Sequence, residues 1–243
     1  MGVVRGLVRG GGTRRGPAAA ALLLWAALAS SVVCSGALVG CGGDDDGGTS
    51  PASLRSQLLP ASAVPGFKTE GKFDWDTPTD FVRQGLKHVP ESTPFSRVVD
   101  TFENAGFEAG VVESFVAAKG SPVKGPHVLV DVVQLGSDDN AREALDYVLK
   151  EALKQPCVGV CSVTTRRFAV TGISGAKGVQ LTPLRNPPPD APDPFVAYDI
   201  GFTSGPRLYL VSADGGPGQV KKSQILSAAK ALYKRTAKSD AAS

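Results

Sequence analysis

The sequence predicts an α+β fold, an antiparallel or mixed β-sheet with helices packed on one face, and three observations carry that prediction. Stretches rich in β-branched and aromatic residues, at 107–116, 127–135, 162–170, 178–184, 195–203 and 207–213, are bounded by Gly, Pro and Ser. One long amphipathic helix is written over residues 140–155. No Gly-rich strand-to-helix turn appears, and the main helices do not alternate with strands as a doubly wound sheet requires.

In chain order, Leu54, Leu58 and Leu59 recur at helical spacing and stop at Pro60, which makes a short helix followed by a Pro65-Gly66 turn. The run DWDTPTD places Asp74, Asp76 and Asp80 at calcium-loop spacing. Thr79 stands where that loop needs Gly, however, and Gly85 where it needs Glu, so the run reads as an acidic turn beside Trp75. Thr93-Pro94 reads as an N-cap with Pro at the first helical position; Phe95, Val98, Val99 and Phe102 form the apolar stripe behind it, and Gly106 ends the helix. Two strands follow, joined by the loop AAKGSPVKGP.

Asn140 and Glu143 have capping-box spacing, and Ala141, Ala144, Leu145, Val148, Leu149, Ala152 and Leu153 supply the core-facing stripe of the long helix. The last two strands form a hairpin around Ser204-Gly205-Pro206, and Ile225, Ala228, Ala229, Leu232 and Tyr233 place a final helix against the sheet. Phe107, Gly110 and Val116 repeat the spacing of Phe202, Gly205 and Val211, which suggests a duplicated strand-strand-helix unit.

The chain has 243 residues, 42% hydrophobic and 20% charged, enough for one ordinary core once the first forty are set aside. Those forty hold four of the 26 basic residues (Arg5, Arg9, Arg14 and Arg15) and no acid. The remainder therefore carries 22 basic against 23 acidic side chains, which excludes a general nucleic-acid binder.

Between Arg15 and Asp44 no charged residue occurs, so an apolar stretch follows a basic n-region, as in an export signal. Leu38-Val39-Gly40-Cys41 resembles the lipobox of bacterial lipoproteins of the actinobacterial type. Cys34 is preceded by Val33, too bulky for a processing site. The resemblance implies cleavage before Cys41 and attachment of diacylglycerol to its sulfur, and two acyl chains suffice for stable anchoring. The alternative is an uncleaved signal anchor, since the apolar run is long enough to cross a bilayer. Arg14-Arg15 is followed by Gly16-Pro17, which departs from a twin-arginine signal. The organisation expected is a signal peptide over 1–40, a lipidated Cys and flexible Gly/Asp-rich tether over 41–53, and one exported domain over 54–243.

Cys157 and Cys161 follow a helix C-terminus and flank Val158-Gly159-Val160; outside the cell such a pair is expected to form a structural disulfide. Neither His88 nor His127 lies in a metal-ligand spacing, and no cofactor motif is present. Ser121-Pro122-Val123-Lys124 has the letters of an S-x-x-K motif, but in a Gly-flanked loop where no helix can set Lys beside Ser. Of the adjacent Arg166 and Arg167, strand alternation sends one to each face, and either becomes an anion contact if it lines a groove. The loop over 183–194 is stiff, polar and Pro-rich.

No catalytic constellation emerges. The expected function is a membrane-anchored extracytoplasmic module at the cell surface, binding a small molecule, a lipid or a protein without catalysis. The competing class is a cell-envelope hydrolase whose site is assembled from scattered acids such as Glu113, Asp131 and Asp199.

Overall fold

The protein is described by a computed structural model, over residues 49–84, 94–119, 125–154, 163–186, 188–189 and 194–240. Seven strands form one antiparallel sheet: β1 (Phe67–Trp75), β2 (Ala109–Ala117), β3 (His127–Gln134), β4 (Val163–Phe168), β5 (Lys177–Pro183), β6 (Val196–Ser204) and β7 (Arg207–Gly215). Their spatial order is β1-β2-β3-β7-β6-β5-β4. Each half of the chain is thus a meander, and the two meet where β3 pairs with β7 from His127↔Asp214 to Gln134↔Arg207. The helices are α1 (Pro51–Arg55), α2 (Pro78–Gln84), α3 (Phe95–Asn104), α4 (Asp138–Ala152) and α5 (Lys222–Asp240). The α+β class read from the sequence is the class observed.

The helices pack on both faces rather than on one. Strand alternation separates two apolar clusters. Val112, Leu129, Val133 and Leu210 face Phe81 of α2, Phe102 of α3 and Leu145 and Leu149 of α4. Val111, Phe115, Val130, Val132 and Val211 face Leu54 of α1 and Ile225 and Leu232 of α5. The physical reason was already in the run HVLVDVVQL: β3 is buried along nearly its whole length, and a strand apolar on both sides needs a helical layer on each.

Helix starts also differ from the sequence pattern. Ser137 caps α4, its side chain accepting from the Asn140 backbone N–H at 3.2 Å. Asn140 instead donates Nδ2 to the Ala105 carbonyl at 3.0 Å, so the Asn140-Glu143 pair is not the cap. Ser137 is the better cap because Asp138 and Asp139 then fall in the first turn, where negative charge opposes the helix dipole favourably. Of the expected stripe, the residues from Ala141 to Ala152 are buried, and Leu153, at the C-cap, is half-buried. Helix α3 has Pro94 in the cap position without a side-chain bond, while Thr93 lies outside the described residues.

Two elements were not legible in the sequence. Strand β1 is an edge strand whose Lys68, Glu70 and Lys72 are exposed. Helix α2 begins inside the acidic run: Thr77 Oγ1 accepts from the Asp80 N–H at 3.2 Å and donates to Asp80 Oδ2 at 2.9 Å, a side-chain N-cap with Pro78 at the first position. Asp74 accepts from Arg55 Nε at 2.8 Å and Nη2 at 2.6 Å. These carboxylates serve a cap and an ion pair. The Gly110 and Gly205 of the sequence echo are not equivalent. Gly110 sits inside β2, against Phe107 and Trp75, whereas Gly205 turns the β6–β7 hairpin at φ +54°.

Residues 46–243 form one compact unit that contains the whole sheet and both apolar clusters, so this part carries what it needs to fold.

Candidate functional site

Register decides which of the scattered acids can act together. Asp131 of β3 stands opposite Leu210, and Asp199 of β6 opposite Ser212, so both point to the face covered by α4. They are 1% and 6% exposed. Strand β7 runs between them, and their partners on it are two residues apart, which separates their backbones by about 10 Å across the sheet and about 7 Å along it. Glu113 points to the opposite face and cannot join them. It receives a hydrogen bond from Thr69 Oγ1 at 3.0 Å and faces Lys72 Nζ at 3.5 Å. Its role is to fasten the edge strand β1. His127 and Asp214 are register partners on the α4 face, a further polar pair beyond Asp131 and Asp199.

A more open site lies where α4 crosses the β4–β5 edge, a groove of about 450 Å³. The sequence builds it by simple alternation. On β4, Val163, Thr165 and Arg167 face α4, and Thr165 Oγ1 donates to the Leu153 carbonyl at 2.8 Å, which sets the end of the helix over the strand. Arg167, two residues further on, therefore emerges beside the helix and lines the groove. Arg166 goes to the other face. There Gln180, with its amide oxygen turned toward the guanidinium, accepts from Arg166 Nη2 at 2.8 Å. The alternation expected for this pair of arginines is the one observed.

Lys150 of α4 and Lys177 at the start of β5 also line the groove, and the nearly fully buried Leu149 and Val179 lie beneath it. Asp146, one turn before Lys150, is ion-paired with Lys177. Among the described residues no hydrogen bond or ion pair engages Arg167 or Lys150. The site thus offers three cations to one carboxylate. Lys150, Lys177 and Asp146 were not singled out in the sequence; the only local signal was the acid-base spacing of Asp146 and Lys150 on the exposed face of α4.

Cys41, His88, the Ser121 to Lys124 run, and Cys157 with Cys161 all lie outside the described residues, as do residues 187 and 190–193 of the Pro-rich loop. Among the described residues no group of three or more His, Cys, Asp or Glu side chains could hold a metal ion.

No family model matches the chain, and no curated protein matches it. Among solved structures, the extracellular domain of PknH from Mycobacterium tuberculosis is similar with a TM-score of 0.49 and 14% identity, over 78% of this chain and 98% of that chain.

Proposed function

We propose that the chain is an exported, membrane-anchored binding module without catalytic activity, displayed on the extracytoplasmic face, with the groove between α4 and the β4–β5 edge as its ligand seat. The anchor rests on the leader and on Leu38-Val39-Gly40-Cys41. The observation that carries the binding reading is the composition of the groove. Its walls supply apolar surface and positive charge, while its single acid, Asp146, is held by Lys177.

Two measurements test this reading. A fatty-acid analogue is expected to label the wild-type chain and to miss Cys41→Ser in a native-type host; equal labelling of both would reject the anchor. Native mass spectrometry of the chain from residue 42, purified from that host, is expected to find a bound small molecule that denaturation releases. Turnover of envelope material by the purified chain would instead favour an enzyme.

A further inference from the structure

We propose that the flank of α5 bearing Lys222, Lys230 and Lys234, together with Arg166 of β4, is the face by which this domain lies against an anionic lipid surface. This face is distinct from the groove. Its use as an orienting contact rests on the lipid anchor proposed above, whereas its affinity for anionic lipid does not.

Charge is segregated in this chain although its total is nearly balanced. Residues 161–189 and 215–239 hold ten of the 22 basic side chains after the leader and none of the 23 acids, so the rest holds 12 against 23. The fold brings the two segments together. Lys222 Nζ lies 4.0 Å from the centre of the Phe168 ring, and the stem of Lys230 lies against Gly172, its Cε 3.4 Å from where a β-carbon would stand. On α5, Ile225, Ala228, Ala229 and Leu232 face the sheet, while Gln224 and Arg235 reach the Pro65 and Ser56 carbonyls on one side. Lys222, Lys230 and Lys234 recur at helical spacing on the other side. Strand alternation puts Arg166 on this face too, where Gln180 gives it an uncharged acceptor that leaves its charge uncompensated. Among the described residues no carboxylate pairs with any of the four.

The kind of partner follows from what the face lacks. A stable protein interface needs apolar anchors at its centre. The large apolar side chains exposed among the described residues are Phe73 of β1 and Phe95 of α3, neither of which belongs to this face, and the outward positions between the lysines include Ser223 and Ser227. From Lys222 to Lys234 the helix rises about 18 Å, so the cations form a row and not a pocket. A row matches a plane of phosphate head groups, which asks for charge and not for shape complementarity. Exposed charges more than about 10 Å apart are screened at ordinary salt, so the acidic remainder of the domain does not cancel the attraction at contact. Nine residues, 42–50, separate Cys41 from α1 and reach about 30 Å even when fully extended. An anchored chain would therefore meet the bilayer at high effective concentration.

The test uses residues 46–243, which lack the anchor, in cosedimentation with vesicles of phosphatidylglycerol and phosphatidylcholine in equal parts, with vesicles of phosphatidylcholine alone, and in competition with poly-glutamate. The anionic vesicles are expected to bind the domain about tenfold or more tighter than the neutral ones, and about 0.5 M salt should abolish the difference. Lys222→Gln, Lys230→Gln and Lys234→Gln combined are expected to weaken that binding by about tenfold or more, whereas Lys222→Arg, Lys230→Arg and Lys234→Arg combined should keep it within about threefold of the wild type. Lys68→Gln, Arg83→Gln and Lys119→Gln remove the same charge from exposed positions in or near β1 and β2 and should also stay within about threefold. Equal binding to neutral vesicles, or equal weakening by both Gln triples, would overturn the proposal. Tighter capture by poly-glutamate than by anionic vesicles would make the partner an acidic polymer and overturn the bilayer assignment. No binding to anionic vesicles would also end the proposal, while fatty-acid labelling and native mass spectrometry would still decide the anchor and the groove on their own.

Discussion

The side chain of Leu145 on α4 occupies the space above Gly201 of β6 where a β-carbon would stand, and Leu210 approaches the same point to 3.0 Å. Helix α4 can therefore sit close to the sheet only because residue 201 has no side chain. Gly201→Ala forces Leu145 or the helix outward, and such overpacking costs about 1 to 3 kcal/mol. Leu145→Ala alone leaves a hole worth about 2 to 5 kcal/mol. Combined, the two should lose less than the sum of their separate losses, because the new methyl group fills part of the hole. Strictly additive urea midpoints would show that the helix does not rest where the structure places it.

Neighbouring positions on α4 should differ sharply in their cost. Leu149 is nearly fully buried and Lys150 is exposed. Leu149→Ala is expected to lower stability by about 2 to 5 kcal/mol, whereas Lys150→Ala should stay within about 0.5 kcal/mol of the wild type. Thermal unfolding followed by circular dichroism separates the two.

Stability should also depend on alkaline pH through Tyr147. Burial, and then the nearby Glu151 carboxylate, raise its hydroxyl pKa above the ordinary value of 10.0. The folded state thus holds this proton more tightly than the unfolded chain does. That contribution is fully present below the unfolded pKa and is lost as pH rises through the folded one. Tyr147→Phe cannot ionise, so it should lose less stability than the wild type between about pH 9 and about pH 11. Parallel alkaline losses in urea titrations of the two proteins would rule the effect out.

The Cys157-Cys161 pair gives a covalent prediction. Non-reducing peptide mapping of protein recovered from outside the cell is expected to find the two joined. So small a ring restrains little of the unfolded chain, and replacing both by Ser should cost only about 2 kcal/mol on the chain-entropy model. Two free thiols in that protein would overturn the expectation.

Legibility in the sequence followed burial. The α4 stripe from Ala141 to Ala152 was readable because one apolar face at helical spacing survives as a local pattern. Strands β2 and β3 were readable from composition, but two-sided burial was taken for one-sided. Strand β1 was hidden because Lys68, Glu70, Lys72 and Gly71 are tolerated at a sheet edge, where no buried face imposes alternation. The site was less legible still. That Asp131 and Asp199 share a face, and that Glu113 does not, depends on how β2 pairs with β3, on the hairpin of β6 with β7, and above all on the pairing of β3 with β7, which joins residues as distant in sequence as Asp131 and Leu210. Arg167 could be flagged as an anion contact in advance. Its partners in the groove, Lys150 and Lys177, come from a helix and a strand start that only the fold brings together.

The bonds between α1 and the last helix bear on how the domain meets mechanical load. Arg235 of α5 donates to the Ser56 carbonyl through Nε at 2.9 Å and Nη2 at 2.6 Å. The Tyr209 hydroxyl on β7 donates to Gln57 Oε1, one residue further on. With the amino-terminal anchor proposed above, any tug would reach Pro51 first, and these bonds would pass it to α5 and to the centre of the sheet. A pull along that path would then load three hydrogen bonds, two to Ser56 and one to Gln57, at once.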